Sequence, residues 1–376
     1  MLVDIDWIPV VKSIICVVGT RPEAIKMAPV ILALKEEPWA NVRVLATAQH
    51  RHMLDQVNEF FGIEPDIDLN IMRPNQALTT LTARLLLELD DVLQAEKPEA
   101  VLVQGDTTTV MTVALACFYH RIPIGHIEAG LRTWDIQNPF PEEANRVIAG
   151  KLARWHFAPT EGSKQNLLKE GVPDKDVIVT GNTVIDALLI TAEKNLMLDV
   201  PLDPAKRLVL VTSHRRENFG EPFRNICRAL RTLAKNNPGV QFLYPVHPNP
   251  NVKDVAYEFL AELSNFKLCE PLDYAPFIAA MKQAHIILTD SGGVQEEAPA
   301  LGKPVLVLRD ETERPEAVDQ GVVKLVGPNY ENIVKEAQRL LDDDEAYRSM
   351  ARGVSPYGDG HAAERIVKVL REHFGY

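Results

Sequence analysis

Three carboxylates stand where an apolar run breaks into a polar one: Asp106 in Gln104-Gly105-Asp106-Thr107-Thr108-Thr109, Glu128 in His126-Ile127-Glu128-Ala129-Gly130-Leu131-Arg132, and Glu142 in Pro141-Glu142-Glu143-Ala144-Asn145-Arg146. Far along the chain, Ser213-His214-Arg215-Arg216-Glu217-Asn218 and Thr312-Glu313-Arg314-Pro315-Glu316 supply an imidazole and cations. Acids on one wall and cations on another suit proton transfer beside an anionic leaving group. Between the two cationic stretches lies Ile286 to Gly302, IILTDSGGVQEEAPALG, an apolar run ending in Asp290 that turns at Ser291-Gly292-Gly293 into a helix-compatible segment. Backbone N–H groups with no Cβ in the way, together with the positive end of a helix dipole, make an anion seat that needs no lysine. Glu296 and Glu297 are expected in the first helical turn, where a carboxylate suits the dipole but repels a phosphate on the same axis. The conflict is relieved if one of them faces the hydroxyls of a diol such as a ribose. The stretch therefore reads either as a grip on the phosphate and ribose of a nucleotide or as an ordinary strand, turn and helix.

Each motif also has a plain structural reading. Gly19-Thr20-Arg21-Pro22-Glu23 suits a turn with proline at the start of a helix. Asp106 before three threonines suits a helix cap, Glu128 a turn acid, and Glu142-Glu143 the dipole of a helix that starts after Pro141. His214 beside two arginines suits a charged surface, and His50, His52, His120, His156 and His285 have no partner spacing and read as structural. What favours chemistry is that all these motifs occur in one chain. No HExxH or CxxC is present, so no metal is expected; no GxGxxG follows the first strand and no GxxxxGK[ST] occurs, which argues against a tightly held dinucleotide and a P-loop. A GxSxG elbow is missing too.

Elements that position such residues follow from hydrophobic periodicity. SIICVVG, VRVLATA, AVLVQGD, IPIGHIE, WHFAPT and DVIVTGN read as buried parallel strands, separated by helical stretches around Ala24–Glu36, Met53–Phe61, Thr79–Glu96 and Thr109–Tyr119. After LMLDVPLDPAK, a linker-like segment near Leu196 to Lys206, the alternation restarts with RLVLVTSH, VQFLYPV, FKLCE, HIILTDSGG, PVLVLRD and VVKLVG. The expected fold is α/β: two doubly wound Rossmann-like domains, 1–196 and 197–356, facing a cleft lined by the C-terminal ends of their strands. A last amphipathic helix in 357–376, with Ala362, Ile366, Val369, Leu370 and Phe374 at helical spacing, needs a partner surface.

The 376 residues suffice for two cores, and 46% hydrophobic with 24% charged residues is ordinary for a globular protein. A net charge of −12 argues against nucleic acid or an anionic membrane as the main partner. No apolar run is long enough to span a bilayer. The first residues, MLVDIDWIPV, do not form a signal peptide. Cys16, Cys117, Cys227 and Cys269 are far apart and read as thiols in a reducing cytoplasm.

In order along the chain, GTRPEAIKMAP, TAQHR, GDTTT, GHIEAGLRT, FPEEANR, GNTVIDAL, HRREN, YPVHPNPNV, LTDSGGVQEE, LGKPVLVLRD, TERPEA and PYGDG resemble one family from about Lys12 to the final helix: the non-hydrolysing UDP-N-acetylglucosamine 2-epimerases of bacteria. Gln104 stands where many relatives have His, and Ala298 where Gly is usual; neither is expected to touch a catalytic group. The resemblance implies the GT-B architecture, with the last helix crossing back onto the first domain. It implies reversible conversion of UDP-GlcNAc to UDP-ManNAc without a cofactor, by elimination of UDP to a 2-acetamidoglucal and re-addition, supplying precursors of cell-surface polysaccharide. It also implies a homodimer.

On this sequence the resemblance assigns catalysis to Asp106, Glu128, Glu142 and His214, the last as an imidazolium near the diphosphate. Arg21 and Lys26 would reach the substrate, Ser291, Gly292 and Gly293 the phosphates, Glu297 the ribose, and Arg314 the phosphate region. Gln49, His50, Gln76, Arg215 and His247 match parts of a second, allosteric UDP-GlcNAc site. Rival readings are a GT-B glycosyltransferase, a hydrolysing epimerase, a silent UDP-sugar sensor, and a 2-epimerase for a modified UDP-HexNAc.

Overall fold

The computed structural model describes residues 11–47, 51–71, 76–194, 196–312 and 314–376, without the side chains of 51–55. The chain forms two compact units: residues up to Ala187 together with Tyr357–Tyr376, and Leu188–Pro356. The first contains β1 (Lys12–Val18), α1 (Arg21–Lys35), β2 (Ala40–Ala46), α2 (Arg51–Phe61), β3 (Ile67–Asp68), α3 (Leu78–Glu96), β4 (Ala100–Gln104), α4 (Thr108–Tyr119), β5 (Ile124–Ile127), α5 (Glu142–Leu152), β6 (Trp155–Ala158), α6 (Glu161–Lys169), β7 (Val177–Val179) and the start of α7 (Thr183–Glu193). The second holds β8 (Arg207–Thr212), α8 (Glu221–Asn236), β9 (Val240–Pro245), α9 (Pro250–Leu260), β10 (Phe266–Cys269), α10 (Tyr274–Gln283), β11 (Ala284–Thr289), α11 (Gly292–Ala300), β12 (Val305–Val307), α12 (Pro315–Asp319), β13 (Val323–Leu325), α13 (Tyr330–Asp342) and α14 (Asp344–Met350). Finally α15 (Ala362–Phe374) returns to the first unit.

Both sheets are parallel throughout the described residues, ordered β3-β2-β1-β4-β5-β6-β7 and β10-β9-β8-β11-β12-β13. The strands expected from apolar runs are present. The two-residue β3 was not foreseen, being too short to carry a pattern. Helices cover both faces, which is why Ile14 to Val18 on β1 and Leu208 to Val211 on β8 are buried without alternation. On α3, Leu81, Leu85, Leu89 and Leu93 recur every four residues as one buried stripe. The order of each sheet reverses at one place, between β1 and β4 and between β8 and β11. Loops leaving those adjacent strands run in opposite directions and leave a crevice at the C-terminal ends, where ligands of this fold class bind.

The proline-containing stretch 196–206 has no regular structure. It belongs to the second unit because the buried Gln241 side chain accepts from Asp203 N (2.9 Å) and donates to the carbonyls of Asp203 (2.8 Å) and Lys206 (3.2 Å). The division between units therefore falls earlier, within α7.

Helix α15 packs on α1, burying Ala362, Ala363, Ile366, Val367 and Leu370. The buried stripe thus includes Ala363 and Val367, while Val369 turns partly outward and Phe374 meets Trp39 at a ring distance of 6.0 Å. Asp186 accepts from Ala363 N (2.8 Å) and so serves the otherwise unbonded first turn of α15.

Candidate active site

In the second unit the loops at the reversal point are organised by one side chain. Asp290, fully buried at the end of β11, accepts hydrogen bonds from Ser213 Oγ (2.8 Å), His214 N (2.9 Å), Arg215 N (2.9 Å) and Asn218 Nδ2 (3.1 Å). The loop after β8 is thereby folded around the neighbouring strand end, and Tyr244 Oη donates to Ser213 O (2.5 Å) from beneath. This fixes the backbone of His214 and leaves its ring exposed, stacked on His247 with centroids 5.4 Å apart. Partial burial lowers the His214 pKa below its ordinary value; Asp290 opposes this, and His247 and Arg215 add to it. In the free protein His214 is thus shifted towards its neutral form.

Beside this loop, Ser291 is the N-cap of α11, and Gly292 and Gly293 are its first two residues. Their N–H groups are among those with no partner within the helix. Starting the helix at Gly292 puts Glu296 and Glu297 in its second turn, not the first as the sequence suggested, and removes the conflict with an anion on the helix axis. Glu296 is instead paired with Arg314, Nε to Oε1 at 2.5 Å. The guanidinium of Arg314 lies over Gly292: a Cβ there would stand 2.6 Å from Nη1 and 2.7 Å from Cζ, whereas one on Gly293 would meet nothing within 4 Å. A Cβ at Gly292 would thus displace the guanidinium from the place it holds over the helix N-terminus, and Gly293 opens onto free space. Gln295 secures the far side, accepting from Thr312 Oγ1 (2.7 Å) and donating to Ser291 O (3.3 Å). Glu297 is buried on the same helix.

In the first unit the acids gather at the reversal between β1 and β4. Thr107, not Asp106, is the N-cap of α4: its Oγ1 accepts from Val110 N and donates to Glu23 Oε1 (2.6 Å). Asp106 is left to pair with Arg146 (2.8 Å), while Asn145 Nδ2 donates to its carbonyl (2.9 Å). Burial raises the Asp106 pKa; Arg146 and Lys26 oppose this, and Glu128 and Glu142 add to it. Asp106 therefore lies within electrostatic reach of both other acids, although the three are far apart in sequence.

Glu128 follows β5 with a left-handed backbone, φ 65°, rare for a residue with a Cβ. Its carboxylate accepts from Lys26 Nζ (2.5 Å), Gln104 Nε2 (2.5 Å) and Asn182 Nδ2 (3.0 Å). Lys26 is thus a partner of a candidate acid, where the sequence suggested a cation reaching the substrate. Gln104, expected to touch no catalytic group, touches Glu128. Glu142, first residue of α5, has no hydrogen-bond or ion-pair partner among the described residues, unlike Glu143, which accepts from Thr133 N (3.1 Å) and Trp134 N (3.2 Å). The two adjacent acids are separated by a single helical step, which turns one inward to hold the loop.

Arg21 opens α1, half-buried and without a partner among the described residues. Its helix is tied down by Glu23, whose buried carboxylate accepts from Gly19 N (2.8 Å) and Thr20 N (2.6 Å) as well as from Thr107. Of the residues matched to a second site, Arg215 and His247 adjoin His214, Gln76 lies just before α3, and Gln49 and His50 fall outside the described residues. Among the described residues no cluster of His, Cys, Asp or Glu has the form of a metal site. The sequence reading passed over the roles of Asp290, Asn182 and Arg146; their position beside a turn or inside a recognised motif was visible, but the partners Ser213, Glu128 and Asp106 lie 77, 54 and 40 residues away.

Two parallel α/β units, one carrying acids and the other an anion seat at its reversal point, define a protein of the GT-B architecture that handles nucleotide-linked groups. The chain belongs to the UDP-N-acetylglucosamine 2-epimerase family, whose model matches residues 32–371. A UDP-N-acetylglucosamine 2-epimerase of Yersinia pestis is 54% identical over 96% of this chain and 99% of its own length. Among solved structures, UDP-GlcNAc 2-epimerase from Neisseria meningitidis bound to UDP-GlcNAc is similar with a TM-score of 0.86 and 50% identity, over 96% of this chain and 100% of that one. The enzyme from Methanocaldococcus jannaschii has a TM-score of 0.84 at 35% identity, over 96% and 99%. A glycosyltransferase from Rickettsia africae, 14% identical with a TM-score of 0.62 over 97% and 99%, shares the fold alone.

Behind the acids, β5 and β6 place His126 beside His156. Burial lowers each pKa from 6.5 to about 4, in His126 against a hydrogen bond between Nε2 and Gly105 O (2.7 Å). A histidine with a depressed folded pKa stays neutral while the unfolded chain takes up a proton, so stability is lost as pH falls from about 6.5 towards 4. Replacing His156 with Gln should lower proton uptake on unfolding near pH 5 by about one. Urea midpoints measured from pH 7 to pH 5 check this; an unchanged pH slope would mean that His156 is not held neutral.

Proposed function

We propose that the chain catalyses the reversible 2-epimerisation of UDP-N-acetylglucosamine to UDP-N-acetylmannosamine, with the first unit's acids acting on the sugar and the second unit's anion seat holding UDP. The observation that carries this reading is the gathering of Asp106, Glu128 and Glu142 at one strand reversal, with Asp106 raised by burial and by the other two carboxylates. Inversion at C2 starts from an unactivated C–H bond, because C1 is an acetal carbon. Loss of the C2 proton to a carboxylate sends the C–H electron pair into a C1=C2 bond as the C1–O bond to UDP breaks. UDP departs as an anion and 2-acetamidoglucal remains. UDP then adds back to C1 while a proton is delivered to C2 from the opposite face. Two faces call for more than one acid/base group, and a carboxyl raised towards neutrality is suited to both accepting and returning a proton. The charge developing on UDP falls to the N–H groups of Gly292 and Gly293, Ser291, Arg314 and His214, whose protonation a bound diphosphate favours. Glu297 takes the ribose, and Arg21, without a partner among the described residues, reaches the substrate from α1. The scheme requires no redox cofactor.

Incubation of the protein with UDP-GlcNAc in deuterium oxide should place deuterium at C2 of both epimers, read by proton NMR. Asp106→Asn, Glu128→Gln and Glu142→Gln should each lower turnover by about 10²–10⁴-fold with UDP affinity retained, whereas His214→Ala should lose both. Unlabelled substrate and no ManNAc epimer would remove the assignment.

A homodimer is part of this reading. Leu87 on α3 and Phe118 and Tyr119 on the adjacent α4 are large apolar side chains left exposed, 59–71% accessible, which suits burial against a second copy. Sedimentation equilibrium should return twice the chain mass, and Leu87→Glu with Tyr119→Glu should return the chain mass; a monomer before mutation refutes it. No described helix is long and apolar enough to cross a membrane. We place the reaction in the cytoplasm, whose reducing conditions suit the four free cysteines.

The second UDP-GlcNAc site is proposed around Arg215 and His247, with Gln49, His50 and Gln76 from the first unit. The place of Arg215 and His247 beside His214 supports it, since a ligand there would adjoin the proposed diphosphate seat. Initial rates should rise sigmoidally with UDP-GlcNAc, and Arg215→Ala should flatten the curve; hyperbolic kinetics in the unmodified protein would exclude such activation.

A further inference from the structure

Glu128 is held from three directions. Lys26 Nζ and Asn182 Nδ2 donate to Oε1, at 2.5 and 3.0 Å, and Gln104 Nε2 to Oε2, at 2.5 Å. The residue sits on a left-handed backbone at φ 65°, so its direction depends on what surrounds it more than on its own torsional preference.

Asn182 differs from the other two donors in what else it holds. It is buried, its Oδ1 accepts from Val184 N (3.1 Å) in the first turn of α7, and its backbone N–H donates to Tyr357 O (2.6 Å). Tyr357 is the residue at which the chain re-enters the first unit. The docking continues on both sides. Gly181, at φ 89°, lies so close to the returning chain that a Cβ would stand 3.2 Å from Gly358 Cα; Arg365 donates to Thr180 O (2.9 Å), and Asp186 accepts from Ala363 N (2.8 Å). Glu128 and the returning segment are far apart in sequence, yet one residue grips the first with its side chain and the second with its peptide group. An asparagine has only two side-chain torsions, and here its amide is bonded at both ends, so a displacement of its backbone moves the Nδ2 donor with it. Gln104 lies at the end of β4, and its hydrogen bond to Glu128 anchors the other oxygen independently of the returning chain.

We propose that Asn182 is a positioning residue for Glu128, through which docking of the returning segment Tyr357–Ala363 sets the orientation of that carboxylate. The inference rests on the reading of Glu128 as an acid/base group for the sugar.

The test compares Asn182→Ala, Asn182→Asp, Gly181→Ala, the double variant Gly181→Ala/Asn182→Ala, and Glu128→Gln in the full chain. Asn182→Ala should lower kcat by about 10–100-fold, as for a misplaced catalytic group, with KM and UDP affinity changed less than about twofold. Gly181→Ala, which introduces a Cβ against the returning chain and touches no acid, should lower kcat in the same way. The double variant should be no slower than Asn182→Ala, since both changes act through one contact. Asn182→Asp is nearly isosteric and keeps the bond to Val184 N, but sets a second carboxylate against Glu128. With Lys26, Asp106 and His126 facing Glu128 as before, the acidic limb of the kcat/KM profile should move to higher pH, a shift that a merely structural asparagine would not produce. Urea midpoints identify any variant that fails to fold, and the near-isosteric Asn182→Asp keeps the test open if Asn182→Ala does. Wild-type kcat in Asn182→Ala, an unmoved pH profile in Asn182→Asp, or additive losses in the double variant would each overturn the inference. If Glu128→Gln itself keeps turnover within about tenfold, the catalytic reading of Glu128 fails instead, whatever Asn182 does.

Discussion

A parallel strand ends with peptide groups that have lost their ladder, and the loop that leaves it must find other partners for its N–H donors. Here the solution in each unit is a buried carboxylate. Asp290 gathers the loop after β8, and Glu23 joins the loop after β1 to the one after β4 through Gly19, Thr20 and Thr107. Burying a carboxylate costs several kcal/mol unless its lone pairs are used, and four donors on Asp290 use them. The same bonds that satisfy the carboxylate stop the loops from collapsing, so Arg21, His214 and the α11 N-terminus are presented on fixed backbone. The candidate chemical groups are thus supported by buried polar groups to which no chemical role is assigned.

The electrostatics of the two units follow from this division. A chain with a net charge of −12 has no general attraction for a nucleotide diphosphate, so the attraction has to be local. On the proposed reading, Arg314 over Gly292 and the first N–H groups of α11 would supply it, with Glu296 held in an ion pair with Arg314. In the first unit the opposite problem arises, because three acids near one another repel. Lys26 on Glu128 and Arg146 on Asp106 offset that repulsion without removing it. What remains is a carboxyl raised above its ordinary range beside one that is tightly bonded, the asymmetry by which chemically alike groups come to act differently.

Much of this was legible in the amino-acid sequence. Continuous apolar runs of strand length between helix-length amphipathic stretches determine a doubly wound α/β chain, since residues buried on both faces of a sheet have no polar alternation to show. The candidate acids, the glycine turn and the final helix were legible for the same reason: each depends on residues within a few positions of one another, as in Ser291-Gly292-Gly293 or the helical spacing of Ala362, Ile366 and Leu370. Family membership was legible from a dozen such local motifs in order.

Only the tertiary structure decided who partners whom. No local pattern tells that Lys26 bonds Glu128 across 102 positions, that Gln104 and Asn182 complete its shell, that Thr107 relieves Asp106 of capping, or that Glu296 is taken by Arg314. Those pairings depend on the order in which parallel strands are laid side by side, β1 against β4 and β8 against β11, and crossover connections leave that order unmarked in the sequence. The sequence by itself therefore determined the elements and the residue types at their ends. Strand order determined which ends meet, and burial in that arrangement determined the direction in which the pKa of Asp106 and of His214 is shifted.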